Sequence, residues 1–102
     1  MRITVLTVPD CPNGPLVRAR LAEALAGPEA EVAAEIEQIE VTELAQAERL
    51  GMTGSPTVLV DGTDPFATPG AEPSVSCRLY RAADGSVGGA PTVTELRAAL
   101  TR

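Results

Sequence analysis

Ile3, Val5, Leu6 and Val8 form an apolar run that predicts a strand, and Pro9 closes it. Val17, Leu21, Ala24 and Leu25 then fall on one helical face. Gly27-Pro28 breaks that pattern. The next stretch fits two periods. Val32, Ile36 and Ile39 suit a helix, whereas Ile39 and Val41 suit the end of a strand. Thr42 helps to separate them. It is a credible N-cap for the helical run Glu43 to Leu50, which Gly51 ends. A cap there assigns the preceding residues to a different element, so a strand is expected near 34–41.

Thr57 to Val60 is strongly β-prone and ends in the Asp61-Gly62 turn. Residues 63–74 contain Pro65, Pro69, Gly70 and Pro73 and read as a long loop. Val75 to Arg81 reads as another strand, with Val75, Cys77 and Leu79 on one face and Ser76, Arg78 and Tyr80 on the other. Residues 82–91 are turn-like. Thr92 caps a last helix carrying Leu96 and Leu100, and Glu95 completes a capping box. The expected order is β-α-β-α-β-β-α, an α/β domain. The first two strands should run parallel through a helical crossover and the last two antiparallel.

A chain of 102 residues, 44% hydrophobic and 22% charged, is expected to form one globular domain over 1–102. Phe66 and Tyr80 are its aromatic residues, so the core must be aliphatic. Scarce aromatics and a net charge of −6 argue against a nucleic-acid partner. No apolar run reaches the roughly 18 residues of a membrane span, so no membrane partner is expected. Met1-Arg2 leads into a strand-like run rather than a signal peptide, which points to the cytoplasm. Two cysteines in a reducing compartment are more often free, catalytic or metal-binding than disulfide-bonded. Asp61, Asp64 and Glu72 lack EF-hand spacing. Two cysteines and no histidine do not make a four-ligand zinc site. No cofactor is expected.

The chemistry centres on Cys11, which lies where the first strand passes into the first helix. Unpaired N–H groups and the helix dipole favour thiolate at such a position. If Asn13 or Gly14 is the N-cap, with Pro15 opening the helix, the thiol stands farther from the dipole. Asp10 adds a negative charge that opposes thiolate formation, and could instead act as proton donor or base. The alternative for Cys11 is a small buried hydrophobe. Without histidine, any activation of sulfur must do without an imidazole base.

The element order, the cysteine at the first helix and the segment Gly54-Ser55-Pro56-Thr57 together resemble the thioredoxin/glutaredoxin family. The resemblance implies a four-stranded mixed sheet flanked by three helices. It also implies a cis Pro56 facing Cys11, with Pro12, Ser55, Pro56 and Thr57 lining the substrate groove. The chain departs from the family's Cys-x-x-Cys pattern: Cys11-Pro12-Asn13-Gly14 has glycine in fourth place, a monothiol motif. A closer resemblance is to small actinobacterial thioredoxin-family proteins often labelled alkylmercury lyase-like. It rests on Val8 to Asn13, Ser55 to Thr57, Val60 to Phe66 and Ser76 to Tyr80. Abundant Ala, Gly and Pro, with arginine as the basic residue throughout, agree with a GC-rich actinobacterial genome.

Three functions are implied. The first is monothiol thiol–disulfide exchange, with Cys11 attacking a small-molecule or protein disulfide and a small thiol or Cys77 resolving the adduct. The second is organomercurial cleavage or soft-metal binding, with Cys11 and Cys77 as thiolates and Asp10 delivering a proton. The third is non-catalytic peptide binding at the Ser55–Thr57 edge. Cys77 has two readings: a catalytic or ligating thiol, or a core residue beside Val75 and Leu79. The family topology favours the core reading, because an antiparallel fourth strand starts far from Cys11. An unusual path of the 63–74 loop would change that.

Overall fold

The computed structural model describes residues 1–26 and 35–100. The Gly27-Pro28 break and the first residue of the strand expected near 34–41 lie outside them. In chain order the elements are β1 (Arg2–Thr7), α1 (Asn13–Leu25), β2 (Glu35–Glu40), α2 (Leu44–Leu50), β3 (Thr53–Ser55), β4 (Thr57–Val60), β5 (Ser74–Cys77), β6 (Tyr80–Arg81), β7 (Val87–Gly88) and α3 (Val93–Leu100).

β1 is the middle of a three-stranded sheet in the order β2-β1-β4. It runs parallel to β2, with Val5 opposite Gln38, and antiparallel to β4, with Val5 also opposite Val58. A central strand is covered on both faces, which is why its sequence reads as a nearly continuous apolar run. Ile3 and Val5 pack with Val17, Leu21 and Ala24 of α1, Val58 of β4, and Leu96 and Leu100 of α3. Leu6 packs in the second core cluster, with Val41, Ala47 of α2, Met52 and Leu59. Each fully buried leucine so placed contributes about 2–5 kcal/mol against truncation to alanine. β2 is one of the two edge strands. Its exposed Glu35, Glu37 and Glu40 discourage pairing with another chain.

Helix ends follow local chemistry. The N-cap of α2 is Glu43 rather than Thr42. Thr42 is held instead by Gln46, whose Oε1 accepts the Thr42 N–H at 3.2 Å while its Nε2 donates to the Glu40 carbonyl at 3.2 Å. Gly51 ends α2 in the left-handed region, with φ 82°. At α3 the Glu95 N–H donates to Thr92 Oγ1 at 3.1 Å, and the Thr92 N–H donates to Glu95 Oε1 at 3.2 Å. This is the reciprocal capping box expected from the sequence.

The region after β4 departs from the expected four-stranded sheet. The sheet has three strands, and two separate two-stranded ladders, β3–β5 and β6–β7, complete the described strands. Residues 74–77 do not run antiparallel to β4; they pair in parallel with β3. The turn after β4 explains part of this. The Val60 N–H donates to the Thr63 carbonyl at 2.8 Å, and the Thr63 N–H donates back to the Val60 carbonyl at 3.1 Å. Thr63 thereby takes up the backbone groups of Val60 that a fourth strand would need. The chain then returns along residues 64–73 to the other end of the sheet.

A side-chain network fixes that return. The Arg78 guanidinium donates to Asp64 Oδ2 at 2.7 Å and to the Phe66 carbonyl at 2.7 Å. It lies over the Tyr80 ring, 4.4 Å from its centre, and Phe66 meets the same ring edge-on. The Tyr80 hydroxyl donates to the Pro56 carbonyl at 2.5 Å. Burial pushes the Tyr80 phenol far above its ordinary range; Arg78 pulls it back and Asp64 adds to the rise.

Candidate functional site

Where β1 ends, the chain turns sharply into α1. The Cys11 N–H donates to the Val8 carbonyl at 3.3 Å, and Asp10 occupies the left-handed region with φ 59°. An aspartate tolerates that conformation better than most residues. The N-cap of α1 is Pro12, so Cys11 stands one residue ahead of the cap. Its carbonyl accepts the Gly14 N–H at 3.2 Å. The cysteine is half-buried, while Asp10 and Pro12 are exposed. Gly14, at the motif's fourth position, is buried.

A hydrogen bond joins this turn to the second predicted segment. The Val8 N–H donates to Ser55 Oγ at 3.1 Å. Ser55 precedes Pro56 through a cis peptide bond. Thr57 turns its hydroxyl inward, donating to the Gly54 carbonyl at 2.6 Å and accepting from Arg78 at 3.4 Å. Of the four residues expected to line a groove, Pro12 is exposed, whereas Ser55, Pro56 and Thr57 are buried.

β5 accounts for much of this burial. Ser55 lies opposite Cys77, and the Arg78 N–H donates to the Ser55 carbonyl at 3.0 Å. The Ser55 edge expected to receive a peptide is therefore paired within the chain. Gly54 permits the close approach. A Cβ there would lie 2.7 Å from Arg78 Cβ and 3.3 Å from the Ser76 carbonyl oxygen, and its φ of 130° suits glycine alone.

Cys77 is thus not buried. It is exposed at the end of β5, and Leu79, its expected core companion, is 72% exposed. The core reading fails because the strand expected over Val75 to Arg81 breaks: β5 ends at Cys77 and β6 starts at Tyr80, so Val75 packs against the core while Cys77 and Leu79 do not. Both cysteines are free thiols. Cys11 is bonded to Val8, Val8 to Ser55, and Ser55 faces Cys77. Asp10 lies beside Cys11, yet among the described residues no group of three or more Cys, Asp, Glu or His could hold a metal ion. Cys11, Cys77 and Asp10, the two thiolates and the proton donor of the organomercurial reading, do not form such a group.

Three contributors escaped the sequence reading. Gly54 was visible as a glycine before Ser55-Pro56, but its packing partner was not. Arg78 and Asp64 pair across the loop, and nothing in their spacing announces the pair. A cavity of about 380 Å³ borders Phe66, Arg78, Tyr80 and Glu95, and neither cysteine lines it.

The comparison with curated proteins finds no match, and neither does that with solved structures. A family model described as thioredoxin domain matches residues 1–76, a span that takes in the Cys11 turn, the cis Ser55–Pro56 bond and most of β5. With its parallel β1–β2 pair, its antiparallel β1–β4 pair and a half-buried cysteine just ahead of the α1 N-cap, the chain belongs to the thioredoxin-domain family.

Proposed function

We propose that this protein is a thiol–disulfide oxidoreductase in which Cys11 is the attacking thiol. The observation that supports this best is the placement of Cys11. It is half-buried in the turn after the central strand, two residues before α1 and tied through Val8 to Ser55. The thiolate attacks one sulfur of a disulfide, forms a mixed disulfide and displaces the other sulfur as thiolate. Asp10 is exposed beside it, where its carboxylate can take the Cys11 proton and relay it through solvent to the leaving sulfur. Pro12 lines the entrance. Ser55, Pro56 and Thr57 shape the site from beneath, because their side chains are buried.

The substrate is a small-molecule disulfide or an exposed protein disulfide. Small molecules are favoured, since β5 already pairs with the Ser55 edge that an extended peptide would use. With Gly14 at the fourth position, no disulfide can form within the Cys11 motif, which makes it a monothiol motif. A reducing cytoplasm suits two free cysteines. No described helix is long and apolar enough to cross a membrane.

The test is exchange with oxidised glutathione. Cys11→Ser should abolish mixed-disulfide formation, and Cys77→Ser should leave it largely intact. Asp10→Asn should slow turnover without preventing adduct formation. Release of hydrocarbon from an organomercurial that requires Cys11, Cys77 and Asp10 together, with no glutathione adduct, would replace this reading with a lyase.

A further inference from the structure

We infer that Cys77 is the resolving thiol for Cys11, supplied by β5 in place of the missing fourth residue of a dithiol motif. The inference rests on Cys11 being the attacking thiol and adds the fate of its adduct.

Two observations carry it. The first is register. Cys77 lies opposite Ser55, and residues opposed across a pleated pair project to the same face. The Ser55 side chain reaches the Val8 N–H, at the root of the turn that bears Cys11. Arg78, the next residue, turns the opposite way, into the Asp64–Tyr80 network. The alternation therefore leaves Cys77 on the Val8 side. The second observation is the anchoring of β5. Gly54 admits the strand, the Arg78 N–H bonds to the Ser55 carbonyl, and the Ser74 N–H donates to the Met52 carbonyl at 3.1 Å. Cys77 itself is exposed at the end of the strand, where an attacking sulfur must be. Disulfide closure requires Cα atoms within about 7 Å, so resolution demands that the end of β5 and the Val8–Cys11 turn come to that separation in the mixed-disulfide state.

The chemistry balances with a small disulfide as oxidant. The Cys11 thiolate attacks it, forming a mixed disulfide and releasing one small thiolate. The Cys77 thiolate then attacks the Cys11 sulfur, forming the Cys11–Cys77 disulfide and releasing the second small thiolate. The protein loses two electrons and two protons, and the small disulfide becomes two thiols. An external thiol or dithiol reductant reverses the cycle.

The experiment follows the reduced full chain with oxidised glutathione, quenched in acid and read by intact mass and peptide mapping. Wild type should pass through a glutathione adduct on Cys11 to a product lighter than the reduced chain by two hydrogens, linking Cys11 to Cys77. Cys77→Ser and Cys77→Ala should both stop at a stable Cys11 adduct, with circular dichroism confirming the fold. A wild-type chain that accumulates the Cys11 adduct and never closes the internal disulfide overturns the inference but keeps Cys11 as nucleophile. A first adduct on Cys77 overturns the assigned roles. No adduct on Cys11 in any variant overturns the underlying reading as well.

Discussion

In the described residues up to Val60 backbone pairing carries the structure, and between residues 61 and 91 side chains do much of that work. The first region forms the sheet β2-β1-β4, with apolar side chains on both faces of β1. The second holds only short ladders and is tied to the sheet through Asp64, Phe66, Arg78 and Tyr80. A sheet assembled by backbone pairing announces itself through apolar periodicity. A loop held by one guanidinium and one phenol does not. The two thiols divide the same way: Cys11 stands in the turn that leaves the sheet's central strand, and Cys77 depends on the anchored loop.

The largest effect that separates the regions is expected at Arg78. Its pair with Asp64 is nearly buried on both sides, with side chains 9% and 10% exposed. Removing one partner of such a pair costs about 3–5 kcal/mol, because the other charge is left uncompensated. Arg78→Met should show this loss in urea unfolding, and the Asp64→Asn, Arg78→Met double variant should recover part of it. A cost below about 1 kcal/mol, as for a surface pair, would dissolve the contrast between the regions.

A somewhat smaller effect belongs to Tyr80→Phe. It strips the donor from a buried carbonyl and should cost about 1–3 kcal/mol. Tyr80 also predicts a pH response. Its phenol is raised in the folded state, so the fold holds it protonated. The associated stability is present below the ordinary tyrosine value near 10 and is lost as pH rises beyond it. Tyr80 is the single tyrosine, so absorbance reports it directly. Phenolate should appear together with loss of circular dichroism. Free titration near 10 in an intact fold would contradict the buried network.

Gly54→Ala tests whether β5 is seated as described. The added Cβ meets Arg78 at 2.7 Å and must displace β5 from β3. The internal Cys11–Cys77 disulfide should form far more slowly in this variant, while the Cys11 adduct still forms. Gly14→Cys is the milder companion. A Cβ at Gly14 meets Thr7 Cγ2 at 3.5 Å, an ordinary contact, so the fold should tolerate it. That variant should close a disulfide to Cys11 even when combined with Cys77→Ser.

These contrasts also explain what could be read from the sequence. The strand at 35–40 was legible because a helix from residue 43 needs a start, even though the cap fell to Glu43. The capping box at Thr92 and Glu95 was legible because its chemistry is local. The alternation of Val75, Cys77 and Leu79 against Arg78 and Tyr80 misled, because it assumed one regular strand where β5 ends at Cys77 and β6 starts at Tyr80. Here the buried face carries Tyr80, beneath an arginine neutralised by Asp64 from across the loop. The Cys11 turn and Ser55-Pro56-Thr57 were visible as motifs. That Ser55 would be paired by the chain's own β5 was not.

The central claim is that position at the start of α1, and not exposure, makes Cys11 the reactive thiol. Iodoacetamide labelling of the reduced wild-type chain near neutral pH, resolved by peptide mass spectrometry, tests it most directly. Cys77 is exposed and Cys11 half-buried, so exposure alone would label Cys77 first. Faster labelling of Cys11 is the result expected here, and equal rates or a faster Cys77 would contradict it.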